Sequence, residues 1–209
     1  MKKFILTFFL ILAFNFTNAY FLESLDAAKF LASKWIIVEK NNPLDYHLDS
    51  YVLRQEVAWV ARWVASIPKK SFCENEFLDV SATKPNSWAC YSVEALRDND
   101  LIAKNSYFNP ERDISKAEAL WMIVKAAGFD YSYNPNSKKI WQEQLKDYAV
   151  FKWIVWDFSD YNEKATRWWI FEIAKNSIEL IKTWKIDDDW NIEVDDDLKN
   201  ILEELFSNS

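Results

Sequence analysis

The chain has 209 residues, with 25 basic against 32 acidic side chains and a formal charge of −7. So acidic a chain excludes nucleic acid and bulk-charge binding to anionic lipid, and any anionic ligand must be met by locally placed cations. Twelve tryptophans accompany a single glycine, far from the usual glycine share of about 7%.

Met1-Lys2-Lys3 precedes an apolar run from Phe4 to Phe14, and Thr17-Asn18-Ala19 supplies the small residues a signal peptidase cuts after. Residues 1–19 read as a secretory signal. The run is too short to span a bilayer of about 30 Å, and no longer one follows, so no membrane span is expected in the mature chain. Loss of Lys2 and Lys3 with the leader takes the charge to −9.

An amphipathic stretch from Leu25 to Lys34 comes next, closed by Trp35 and the apolar pair Ile36-Ile37. After a polar stretch, Leu53-Arg54-Gln55-Glu56 opens a second helix whose Val57, Val60, Ala61 and Val64 fall at i, i+3, i+4, i+7. His47, in the loop between, is expected to be simply solvated. Cys73 and Cys90 share one segment of an exported chain. A disulfide is the economical reading, contributing roughly 3 kcal/mol in the loop-entropy model; two free thiols or a half-built metal site are the alternatives. With one histidine and two cysteines there is no zinc-ligand spacing, and no metal or cofactor is expected.

The same plan recurs twice. Tyr91 to Asn99, the pair Leu101-Ile102 and the opening Ser115-Lys116-Ala117-Glu118 make the second unit, with a capping box at Ser115 and Glu118 and a core face of Ala117, Leu120, Trp121 and Val124. Gln142 to Lys152, Ile154-Val155 and Thr166-Arg167-Trp168-Trp169 make the third, with Ile170, Ile173 and Ala174 inward. From apolar pair to basic residue the spacing shrinks from 18 to 15 to 13, as a surface loop tolerates.

At the end of each first helix the backbone wants a left-handed residue. Asp100 suits that position; Trp35 and Trp153 do not, at about 1–2 kcal/mol in sterics alone. We read these tryptophans as glycines in the native protein, with UGA decoded as glycine but translated as tryptophan. UGG at either codon would sink the idea.

These residues resemble the S-layer homology family, whose modules usually come in threes. Phe77-Leu78-Asp79-Val80 matches the family's module start, and Phe108-Asn109-Pro110 with Ile114-Ser115-Lys116-Ala117-Glu118 its second half; Leu53-Arg54-Gln55-Glu56 and Ala165-Thr166-Arg167 match more loosely. The first module departs at its start and before Arg54, and the third has Trp169 where the family has glutamate. The resemblance implies a mostly α fold of three helix-loop-helix modules, residues 22–67, 72–129 and 138–182, packed about a pseudo-threefold axis. It implies non-covalent attachment to an anionic, often pyruvylated, secondary cell-wall polysaccharide, and location at the cell surface.

Arg54, Lys116 and Arg167 are the expected glycan-binding residues. Each stands in the first turn of a helix, where free backbone N–H groups and the macrodipole favour an anion. The competing reading makes them surface ion pairs with acids such as Glu56 or Glu118, each worth under about 1 kcal/mol. No nucleophile setting, glycine-rich loop or paired catalytic carboxylates are evident, so no enzyme is expected. A secreted module binding other envelope proteins through exposed aromatic residues is the alternative function. Residues 183–209 are acidic. Asp187, Asp189 and Asp196 fall in an EF-hand register, but Lys185 occupies its first position, so an acidic turn before a last helix, Leu198 to Phe206, is expected instead of a calcium site.

Overall fold

The computed structural model describes residues 22–156, 158 and 160–187. It is mostly α-helical, with α1 at residues 22–33, α2 at Arg54–Val64, α3 at Ser87–Asp98, α4 at Lys116–Ala126, α5 at Trp141–Phe151 and α6 at Arg167–Asp187. The expected leader, and the expected helix from Leu198 to Phe206, lie outside the described residues. The chain divides into two units, the first ending at Ile178 and the second beginning at Glu179, whose described residues 179–187 are helical. Residues 183–187, expected to begin a non-repeat segment, are thus the end of α6. Among the described residues, no helix is long and apolar enough to cross a membrane.

The second helices begin at Arg54, Lys116 and Arg167, where the capping chemistry puts them. The Ser115 hydroxyl accepts from the Glu118 amide at 3.3 Å, and the Glu118 carboxylate accepts in return from the Ser115 amide at 3.3 Å. At α2 half of that box survives: Glu56 accepts from the Leu53 amide at 2.8 Å, while Leu53 has no oxygen to reciprocate. α3 starts at Ser87, four residues before the expected Tyr91, because Lys84 and Asn86 offer carbonyls to the amides of Ser87 and Ala89.

The predicted core faces are buried, including Val57, Ala61, Leu120, Val124, Ile170 and Ile173. α2 packs against α3 and α4, and α4 against α5. Trp121 departs from expectation. It stands half-buried against Tyr131 and Trp141, ring centroids 5.6 and 5.9 Å away, and lines a cavity. Arg62, 4% exposed, bridges α2 to α3 by donating to the Ser92 hydroxyl at 3.1 Å and the Ile67 carbonyl at 2.7 Å.

Five helices end in the same turn. The amides of Ile36, Ile67, Leu101, Phe129 and Ile154 each reach back five residues to a carbonyl, so the residue before each turns left-handed. Those residues are Trp35 (φ 61°), Ser66 (55°), Asp100 (57°), Gly128 (72°) and Trp153 (59°). The single glycine occupies one of them. Trp35 and Trp153 are 84% and 74% exposed, and the Trp153 ring meets the likewise exposed Trp156 edge-on, centroids 6.3 Å apart, so little packing offsets their backbone strain.

Candidate functional site

The extended segments before α2, α4 and α6 hydrogen-bond to one another in a closed ring. Val52 N–H donates to the Ala165 carbonyl at 3.0 Å, Ala165 to Ile114 at 2.9 Å, and Ile114 back to Val52 at 3.1 Å. A second ring surrounds the first: Arg54 N–H donates to the Arg112 carbonyl at 2.9 Å, Lys116 to Glu163 at 2.8 Å, and Arg167 to Ser50 at 2.9 Å. A third joins Gln55 to Pro110, Ala117 to Tyr161 and Trp168 to Leu48 at 2.9–3.1 Å.

This arrangement corrects one expectation. The first amides of the three helices are not free to receive an anion, because neighbouring segments already satisfy them. Recognition of an anion at these positions falls to the side chains.

The three side chains cross the same seams as the amides. Arg54 donates to Glu118 at 3.4 Å, and Arg167 donates to Glu56 at 3.2 Å. Glu56, Glu118 and Trp169 are the third residues of their helices, so Lys116 meets Trp169 where the arginines meet glutamates. Its ammonium stands 5.9 Å from that ring and 6.0 Å from Phe158, and donates to Glu163 at 2.5 Å. Glu118 and Glu56, which meet the arginines, are the acids the ion-pair reading named, taken from the next segment in the ring; Glu163 was not among them.

Two cavities open beside the arginines. One, of about 900 Å³, has Arg167, Glu56, Trp59, Val60, Trp88 and Ile36 in its wall. The other, of about 410 Å³, is walled by Arg54, Glu118, Trp121, Met122, Ile102 and Tyr133. Trp59 and Trp121 follow their glutamates by three positions, and Ile36 and Ile102 belong to the apolar pairs. Each cavity therefore presents an arginine head, a carboxylate, an indole and an aliphatic floor. That combination can hold a sugar ring by its apolar face and an attached carboxylate by charge.

The two arginine sites differ electrostatically. Burial pulls the Arg54 guanidinium below its ordinary value against the opposing pull of Glu118, and its Nε is buried with no hydrogen-bond partner. Burial pushes the Glu118 carboxyl up, yet Arg112, the Ser115 amide and Arg54 outweigh it and hold it below the usual range. Arg112, not singled out by sequence, grips both Glu118 oxygens at 3.0 and 2.7 Å. Its only sequence signal is its place four residues before Lys116.

Asp79 was legible only as a motif letter. Its carboxylate accepts from the amides of Phe108 and Asn109 at 2.9 and 2.7 Å, tying the start of the second module to the loop that delivers Arg112. Phe77 packs edge-on to Phe108, centroids 5.7 Å apart. Cys73 and Cys90 form the disulfide, Cα atoms 5.8 Å apart. Beside it the buried Glu94 accepts from the amides of Glu74 and Glu76, and burial pushes its carboxyl up. His47 is exposed with a left-handed backbone (φ 48°) that caps a 3₁₀ turn, Pro43–Tyr46.

No family model matches the chain. Over 141 residues, 65% of its length, the chain is 26% identical to the Middle cell wall protein of Brevibacillus brevis (strain 47 / JCM 6285 / NBRC 100599). That match spans 13% of the relative. The similarity supports a cell-wall-associated role.

Proposed function

We propose that this is a non-catalytic wall-binding protein of three S-layer-homology-like modules, holding an anionic secondary cell-wall polysaccharide in the seams between them. The observation that carries the reading is the pair of equivalent cavities, each with an arginine delivered across a seam by the ring of backbone hydrogen bonds. An arginine–glutamate pair occupies each site when empty. A ligand carboxylate would compete with that glutamate for the guanidinium while the sugar ring lies against the apolar wall. The match to a cell-wall protein accords with this placement. In this reading the ring is the centre of a pseudo-threefold arrangement, and the leader exports the chain to the cell surface.

The test is co-sedimentation of residues 20–209 with sacculi from the source organism, before and after extraction of the secondary polysaccharide. Pelleting should disappear on extraction. Alanine at Arg54 and Arg167 together should abolish it while moving the melting temperature little, since each is partly exposed and makes one ion pair. Pelleting that survives extraction would favour the envelope-protein-binding alternative, and no pelleting by a folded chain would reject wall anchoring.

A further inference from the structure

We infer that the three seams are unequal, and that anion binding is concentrated at Arg54 because Arg112 supplies a second cation there. This deepens the wall-binding reading and rests on it. The residue whose carbonyl receives the amide of each helix-opening cation is Arg112 for Arg54, Ser50 for Arg167 and Glu163 for Lys116. One register position of the ring therefore carries a cation, a neutral side chain and an anion in the three seams.

The consequences follow from charge. At the Arg54 seam two guanidinium groups face one carboxylate. Arg112 takes both oxygens of Glu118 at 3.0 and 2.7 Å, leaving Arg54 at a long 3.4 Å with its buried Nε unpartnered. Arg54 is thus held in place over the Phe108 ring, 5.0 Å from its centroid, but weakly paired with a carboxylate, and the seam carries one positive charge in excess. At the Arg167 seam Glu56 has no second guanidinium, and Glu39, Asp45 and Lys40 also line the cavity, making three carboxylates to two cations. At the third, Glu163 neutralises Lys116, whose side chain is 12% exposed against the Trp169 and Phe158 rings. A polyanion therefore gains the most net attraction at the first seam.

Arg112 acts as a positioning residue: it occupies Glu118 so that Arg54 can take the ligand. None of Arg54, Arg112, Glu118, Ser50 and Glu163 is a tryptophan, so the charge comparison between the seams stands whichever residues the tryptophan codons specify.

The experiment is calorimetric titration of residues 20–209 with the polysaccharide extracted from the walls of the source organism. Arg112→Ser should weaken binding roughly tenfold, because Glu118 released from Arg112 turns onto Arg54 and competes with the ligand for one charge-assisted contact, and Arg112→Lys should retain most of the affinity. Ser50→Arg has the same six-residue spacing to Glu56 that Arg112 has to Glu118, and added to Arg112→Ser it should recover binding through the Arg167 seam. A merely structural role for Arg112 would not be rescued from another module. Unchanged affinity in Arg112→Ser, or no recovery by Ser50→Arg, overturns the inference while leaving wall binding intact. No binding by the unsubstituted chain overturns both.

Discussion

Arg167 donates to Glu56 at 3.2 Å although 111 positions separate them in the chain. Glu56 also accepts from the Leu53 amide, so one carboxylate both caps α2 and receives the cation of α6. Glu118 does more, accepting from Ser115, Arg54 and Arg112. Alanine at either site should therefore destabilise, by about 1 kcal/mol at Glu56 and about 2 kcal/mol at Glu118, where two guanidinium groups lose their acceptor. Urea midpoints of the two variants check the order, and a smaller loss at Glu118 would contradict it.

Glu172 introduces a pH dependence. Burial, opposed by the Ser24 hydroxyl at 3.2 Å, pushes its carboxyl up to about 7. Its folded value lies above its unfolded one, so between about pH 4.5 and 7 the folded state holds a proton that the unfolded state has released. Stability should fall through that window and level off above it. Glu172→Gln should reduce the slope by the Glu172 share, leaving that of the buried Glu94, and stabilise the protein above pH 7 by about 1–2 kcal/mol, after allowance for partial exposure. Thermal melts of both proteins from pH 4 to 8 test this.

The disulfide closes a loop of sequence separation 17. Its loss in the Cys73→Ser, Cys90→Ser double variant should cost about 3 kcal/mol. A reductant should lower the melting temperature of the parent protein and leave the variant unmoved.

Trp35 and Trp153 offer a test of the genetic code that produced this chain. Both hold left-handed backbone with largely exposed indoles, at positions equivalent to Asp100 and Gly128. We propose that the native residues are glycine. Trp35→Gly and Trp153→Gly should each stabilise by about 1 kcal/mol, where alanine should not. Mass spectrometry of the protein from its own organism should find glycine at both sites, encoded by UGA; tryptophan encoded by UGG would refute it. Trp59 and Trp121 line the two cavities, so glycine there would widen both.

Much of this architecture is local and was legible in the sequence. The apolar periods of α2, α4 and α6, the cap at Ser115 and the left-handed positions at Trp35, Asp100 and Trp153 depend on neighbours within a turn or two, so the chain states them directly. The paired cysteines fit the same logic at short range. The segments that join across the ring carry no such period. Nothing near Arg54 in the chain says that its amide meets Arg112 or its side chain Glu118, 64 positions away. Those partners follow from the register in which three extended segments hydrogen-bond. That register also satisfied the helix-opening amides and placed Arg112, Ser50 and Glu163 at one position. The sequence thus determined which residues open each helix, and the tertiary structure alone decided what they face, because hydrogen-bond register between distant segments is a property of the assembled backbone.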